Sequence, residues 1–193
     1  MTVATDRRMT LKEYLTYEDG TAARYELVDG VLVEMGAESR SNIKIALFLI
    51  QFFLKIVDYD RLGIKEKIEV RSHYATARDP DLIIHSEESA NAIEGRTESC
   101  LFLGEPNPLI VIEVVSPGTE SKLNYKRDYE QKPIEYADRG IHELWQIDAI
   151  REWVKVGTLT AGQYQFATFK NNETIVSPTF PELDLTAAQV LGA

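Results

Sequence analysis

One cysteine, Cys100, in 193 residues means that no disulfide can close within this chain. A lone cysteine is no zinc cluster either, and the three histidines, His73, His85 and His142, show no ligand spacing. Long apolar runs are also missing. The longest, Ile43 to Val57, is broken by Lys44, Gln51 and Lys55 and falls short of the ~18 residues a membrane span needs. The opening MTVATDRRMT lacks the apolar stretch of a signal peptide. Seven prolines and 11 glycines leave no linker or low-complexity segment. These absences predict one domain over residues 1–193, in a reducing cytoplasm and with no membrane contact. Cys100 itself reads as a small core residue.

Positive charge is scarce as well. Thirty-one acids against 21 bases give a net charge of −10, the opposite of the basic face a duplex binder presents. The local exception is Arg61 to Arg78, where Arg61, Lys65, Lys67, Arg71 and Arg78 face only Glu66 and Glu69. That segment reads either as a solvated strand with cationic flanks or as a phosphate-facing edge.

What is present is a regular alternation of helix and strand signals. TLKEYLTYED (10–19) predicts a short helix with Thr10 as N-cap and Glu13 completing a capping box. RYELVDGVLVEM (24–35) predicts a hairpin turning on Asp29-Gly30. From about Ser41 to Asp58 the spacing of Ile43, Ala46, Leu47, Ile50, Phe53, Leu54 and Val57 predicts an amphipathic helix buried along that stripe. IKEKIEVRS (64–72) predicts a strand with Ile64, Ile68 and Val70 inward, followed by a strand in DPDLIIHS. SEESANAIEG (86–95) reads as a helical turn or short helix closing at Gly95. PLIVIEVVS predicts a strand stopping at Pro117-Gly118, residues 120 to 139 a charged helix, and HELWQID (142–148) another strand. A second hairpin (Glu152–Val156 and Gln163–Phe169) and a final helix capped by Thr186 complete the chain, with Trp145 and Trp153 as packing residues. The order argues an α/β fold, a mixed central β-sheet flanked by helices.

The chemistry concentrates on two acids in apolar strands. Glu113 lies in PLIVIEVVSPG, and Asp81 precedes Leu82, Ile83 and Ile84 in RDPDLIIHS. A carboxylate in such a run is costly to bury unless paired, protonated or bound to a cation. Two of them suggest one site on a sheet, with a divalent metal to reconcile them. Nucleases of the PD-(D/E)xK superfamily share this layout, with acid-x-Lys on the second strand. Here the lysine slot holds Val115. The following helix offers a substitute, since Tyr125, Tyr129, Lys132 and Tyr136 fall on one face, although Pro133 interrupts it. Lys132 either turns inward with those rings or snorkels past them into water. Lys122 and Lys126 lie on a neighbouring, solvated face, with Lys126 the alternative lysine. Glu26, in YELVDG, reads from spacing alone as an exposed edge-strand acid.

Taken together, YELVDGVLVEM, RDPDLII, VIEVVSPGT, KPIEYADRGI, ELWQID and SPTFPELDLT resemble the Uma2-like restriction endonucleases over about residues 10 to 190. The resemblance implies a restriction-endonuclease-like core and a metal-dependent endonuclease acting on DNA with Mg²⁺ or Mn²⁺. It implies Asp81 and Glu113 as metal ligands, Lys132 as the displaced lysine and Glu26 as an additional acid near the metal. Pro133 stands where the family carries a hydrophobic or charged residue. A homodimer is the expectation for an enzyme cutting both strands. The alternative is a catalytically inactive nuclease-fold module that binds nucleic acid or a protein partner. In a third reading the two acids satisfy backbone amides or pair with Arg78 or Lys132, and no metal binds.

Overall fold

The computed structural model describes residues 7–115 and 123–193. Pro117, Gly118 and Lys122, and the expected start of the charged helix, lie outside these residues. Thr10 caps α1 (Leu11–Leu15), and its hydroxyl and the Glu13 carboxylate close the expected capping box. The first hairpin, β1 (Tyr25–Val28) and β2 (Val31–Glu34), turns on Asp29 and Gly30 at φ 49° and 79°, the paired positive values that a type I′ turn requires. α2 (Arg40–Phe53) follows, capped by the Ser39 hydroxyl. Then come β3 (Leu62–Gly63), β4 (Lys67–Val70), β5 (Thr76–Arg78), β6 (Leu82–Ile84), α3 (Glu87–Ile93), β7 (Cys100–Leu101) and β8 (Ile110–Val114). A helical stretch runs through α4 (Leu123–Lys126), a π turn (Arg127–Gln131) and α5 (Lys132–Arg139), which ends on the left-handed Gly140. β9 (Glu143–Asp148), β10 (Trp153–Thr160), β11 (Gln163–Phe169) and α6 (Ala187–Leu191) complete the order.

The strands form two mixed sheets. The larger has the order β11-β10-β9-β8-β6-β3, and the smaller β2-β1-β5-β4-β7. β8 pairs antiparallel with β6 and parallel with β9, and all five of its residues are buried, as a strand covered on both faces must be. One face of the large sheet, with Leu82, Ile84, Ile110, Ile112 and Val114, packs against Ile45, Leu49 and Phe53 of α2 and Val190 of α6. The opposite face, with Ile83, Val111 and Leu144, packs against Tyr136 of α5 and against Ile68 and Val70 of the small sheet. Side chains therefore alternate between two cores along β8, and Glu113 falls on the α5 side. Trp145, Trp153 and Cys100 are buried packing residues. Among the described residues no helix is long and apolar enough to cross a membrane.

Two details differ from the sequence reading. The buried stripe of α2 is Asn42, Ile45, Leu49 and Phe53, whereas Ile43, Leu47 and Leu54 stand exposed. The helix carries apolar residues on every side, so periodicity fixed its existence but not its rotation. Ile64 is exposed in the turn before β4 rather than inward on a strand; Ile68 and Val70 are buried as expected. Truncating Leu49 to Ala should destabilise the protein by about 2–5 kcal/mol in denaturant unfolding, and Leu47→Ala by no more than about 0.5 kcal/mol. A larger loss for Leu47→Ala than for Leu49→Ala would return the helix to the rotation expected from periodicity.

Candidate active site

Register brings the two strand acids together. Leu82 faces Ile112 across the antiparallel β6–β8 pair, so one step outward Asp81 faces Glu113. Asp81 Oδ2 accepts the Val114 N–H at 2.7 Å. Pro80, just ahead, has no N–H to continue the ladder, which lets the chain bend there and turn the carboxylate toward β8.

Lys132 is buried and does not snorkel. Its Nζ lies 2.6 Å from Glu113 Oε2 and 3.3 Å from Glu26 Oε1, with Asp128 Oδ1 at 3.9 Å. The other Glu113 oxygen accepts the Tyr136 hydroxyl at 2.7 Å. The π turn produces this aim. Pro133 cannot donate to the Tyr129 carbonyl four residues back, and its ring would press on it. Immediately ahead the helix widens, with the Lys132 N–H bonding the Arg127 carbonyl five residues back. The expected single face is thereby split. Lys132 and Tyr136 face Glu113, while Tyr129 donates to Asp148 at 2.5 Å and packs on Tyr125 and Trp153. Lys126 is exposed.

Glu26 is not an exposed edge acid. β1 lies between β2 and β5, and the Glu26 side chain is fully buried, 3.0 Å from Arg78. Arg78 is therefore no phosphate-facing cation: it is equally buried and also makes a bidentate pair with Glu135, both contacts at 2.7 Å. Arg127 and Asp128, paired at 2.6 Å, extend the network. The sequence offered Arg78 only as a partner for Asp81 or Glu113, whereas it pairs with Glu26 and Glu135, and Arg127, Asp128 and Glu135 were missed as members. Each looks like ordinary surface charge locally, and only the long-range topology brings them inside.

Among the described residues this network holds five carboxyls (Glu26, Asp81, Glu113, Asp128, Glu135) and three cations (Arg78, Arg127, Lys132). With all ionised, two negative charges are left over. Burial pushes Asp81 up to about 8, and Glu113 and Glu38 add to the rise. Burial also raises Glu113, with the Lys132 ammonium pulling against it. Burial alone would raise Glu26 too, but Lys132, Arg78 and Arg127 outweigh it and hold the group at about 2. Lys132 is raised despite burial, because Glu113, Glu26 and Asp128 surround it, so it remains an ammonium. Glu38, ahead of α2, is the acid that the sequence reading overlooked beside Asp81. Both line a groove of about 250 Å³ whose walls are mostly apolar, including Ile43, Leu47 and Ile64. Among the described residues no three His, Cys, Asp or Glu side chains converge as a ready-made metal cluster. Asp81 and Glu113 are the pair to which a cation's charge would matter most.

A sequence-family model described as "Uma2: putative restriction endonuclease" matches residues 11–188. No curated protein matches the chain. Among solved structures, the crystal structure of a "putative nuclease" from Anabaena variabilis matches with a TM-score of 0.71. It is 16% identical, and the match covers 95% of this chain and 98% of that one, a likeness of fold.

Two outcomes test this electrostatic reading. Replacing Lys132 by Met leaves Glu26 and Glu113 buried without their shared cation and should destabilise the protein by about 3–5 kcal/mol in urea unfolding. In the presence of a chelator, folded Asp81 keeps its proton up to about 8 and an unfolded chain loses it near 3.8. Its contribution to stability is thus full below about 4 and lost as pH rises toward 8. Asp81→Asn should remove that decline and be the more stable protein at pH 8; parallel pH profiles would contradict it.

Proposed function

The chain belongs to the Uma2 family of restriction-endonuclease-like proteins, and from that premise we propose that it hydrolyses DNA phosphodiester bonds with a divalent metal held by Asp81 and Glu113. The observation that carries this is the pairing of the two carboxyls across β6 and β8 inside a network whose five carboxyls outnumber its three cations by two. The donor set fits Mg²⁺ or Mn²⁺. Mg²⁺ in particular is commonly held by one or two carboxylates, with waters and substrate phosphate completing its shell. When bound, such an ion polarises the phosphate and lowers the pKa of its water. The protein's own residues supply the rest. Lys132, kept as an ammonium, cannot serve as the base; it holds Glu113 in place and puts fixed positive charge beside the reacting phosphate. Tyr136 fixes the other oxygen of Glu113, and Glu26 anchors Lys132 from the opposite sheet. The groove beside Asp81 admits the substrate strand. A dimer would set two such centres on a duplex.

The contrary reading, a non-cutting module, draws on one observation: both Glu113 oxygens are already engaged, by Lys132 and Tyr136. Thermal melting in Mn²⁺ separates the two. The wild type should be stabilised by about 2.7 kcal/mol at a hundredfold excess over Kd, and Asp81→Asn and Glu113→Gln should lose the gain while staying folded. Plasmid DNA should be cut by the wild type alone. No metal response and no cutting would leave a binding module.

A further inference from the structure

The Arg61–Arg78 segment divides in the fold. Arg78 is consumed by the buried network, and Arg61 donates to the His85 carbonyl at 3.0 Å. Lys65 and Lys67 instead line a pocket of about 290 Å³ together with Arg24, Asp79, Tyr17 and Tyr25. Three cations face one carboxylate there, on a protein whose net charge is −10. Only Arg24 is neutralised among the described residues, by Asp79 at 2.8 Å. Among the described residues neither lysine has a carboxylate within 4 Å, and Lys67 lies 5.7 Å above the Tyr14 ring. Lys65 sits at φ 60°, a left-handed conformation that is uncommon outside glycine.

Asp79, on the pocket wall, carries an unsatisfied acceptor just behind its surface. Asp79 is 8% exposed, and among the described residues its buried Oδ1 has no hydrogen-bond partner, a position that normally finds a donor. Tyr17 and Tyr25 meet edge to face at 5.8 Å, with the Tyr25 hydroxyl anchored on Asp19 at 2.6 Å. Arg24 and Lys65 line both this pocket and the groove that holds Asp81, so the two spaces share a wall. Asp79 and Asp81 are separated in the chain only by Pro80.

We propose that this pocket is a nucleotide subsite for the substrate strand, adjoining the Asp81 groove: Lys65 and Lys67 hold a backbone phosphate, the tyrosine pair receives a base, and the Asp79 carboxylate, turning toward the pocket as the strand binds, accepts an amino or hydroxyl donor from it. The assignment rests on the nuclease reading of the neighbouring acids. Phosphate chemistry accounts for two lysines without acidic partners, stacking accounts for the tyrosines, and a base amino group or sugar hydroxyl satisfies the orphaned oxygen. The acidic remainder of the surface then confines the strand to this track.

The test is fluorescence anisotropy of a short labelled oligonucleotide in EDTA, so that binding is read without cutting. Lys65→Gln and Lys67→Gln should each weaken binding several-fold and lower the salt slope by about 0.7–0.9. Lys55→Gln, on another face, should change neither. Asp79→Asn should shift the preference between oligonucleotides rich in cytosine and in thymine, the base lacking an exocyclic amine. Lysine variants that behave like Lys55→Gln would overturn the subsite, as would a free mononucleotide competing as well as the oligonucleotide. Cutting in Mn²⁺ is scored separately. Tight binding that needs the lysines but produces no cutting would uphold the subsite and sink the hydrolytic reading. Cutting by the wild type that is indifferent to the lysines would do the reverse.

Discussion

The Lys132 ammonium is the contact on which the rest of the site depends. It sits between Glu113 on the large sheet and Glu26 on the small one, so a single buried cation ties the two sheets and α5 together. Remove it, and two carboxylates face each other across a dry interface where repulsion is barely screened. Keep it, and Glu26 stays ionised at the centre of the protein, which in turn holds Arg78 and, through it, Glu135. A buried ion pair is weak evidence of stability in itself, since apolar residues often pack as well. What this network supplies is fixed charge at a chosen place.

The placement has a backbone cause. A lysine two residues after Glu113 on the strand would share Glu113's face, but Val115 occupies that position and is buried. The charge arrives from the helix instead, and the π turn ahead of Pro133 sets its angle. The proline that disturbs an ideal helix here is part of what delivers the lysine. Tyr129 and Tyr125 go to the Trp153 side, and Lys132 and Tyr136 go to the acid.

Much of the local structure was legible in the sequence because its causes are local. Thr10 with Glu13, Asp29-Gly30 and Thr186 announce caps and a turn within a few residues, and all sit where expected. The juxtaposition of Asp81 and Glu113 could also be read, because an acid inside an apolar strand has few places to go. What could not be read depends on distance along the chain. Glu26 and Arg78 are separated by 52 residues, and Arg78 and Glu135 by 57. Nothing near Glu26 distinguishes a buried acid from a solvated one. The rotation of α2 failed for another reason: with Ile, Leu and Phe around its whole circumference, several stripes satisfy the same spacing, and the partner surface chooses among them.

That surplus of apolar residues on α2 shapes how the molecule behaves in bulk. Ile43 and Leu47 of α2, with Leu54 and Ile56 just past its end, stand uncovered as a greasy ridge, each at least 46% exposed. Ten excess negative charges keep neighbouring copies apart at neutral pH and so shield the ridge from self-contact. Near the isoelectric point of about 4.9 that mutual repulsion disappears while the ridge remains. Colloidal stability is therefore asymmetric about neutrality: mild acid brings the molecules together, and alkaline buffer of low ionic strength keeps them dispersed.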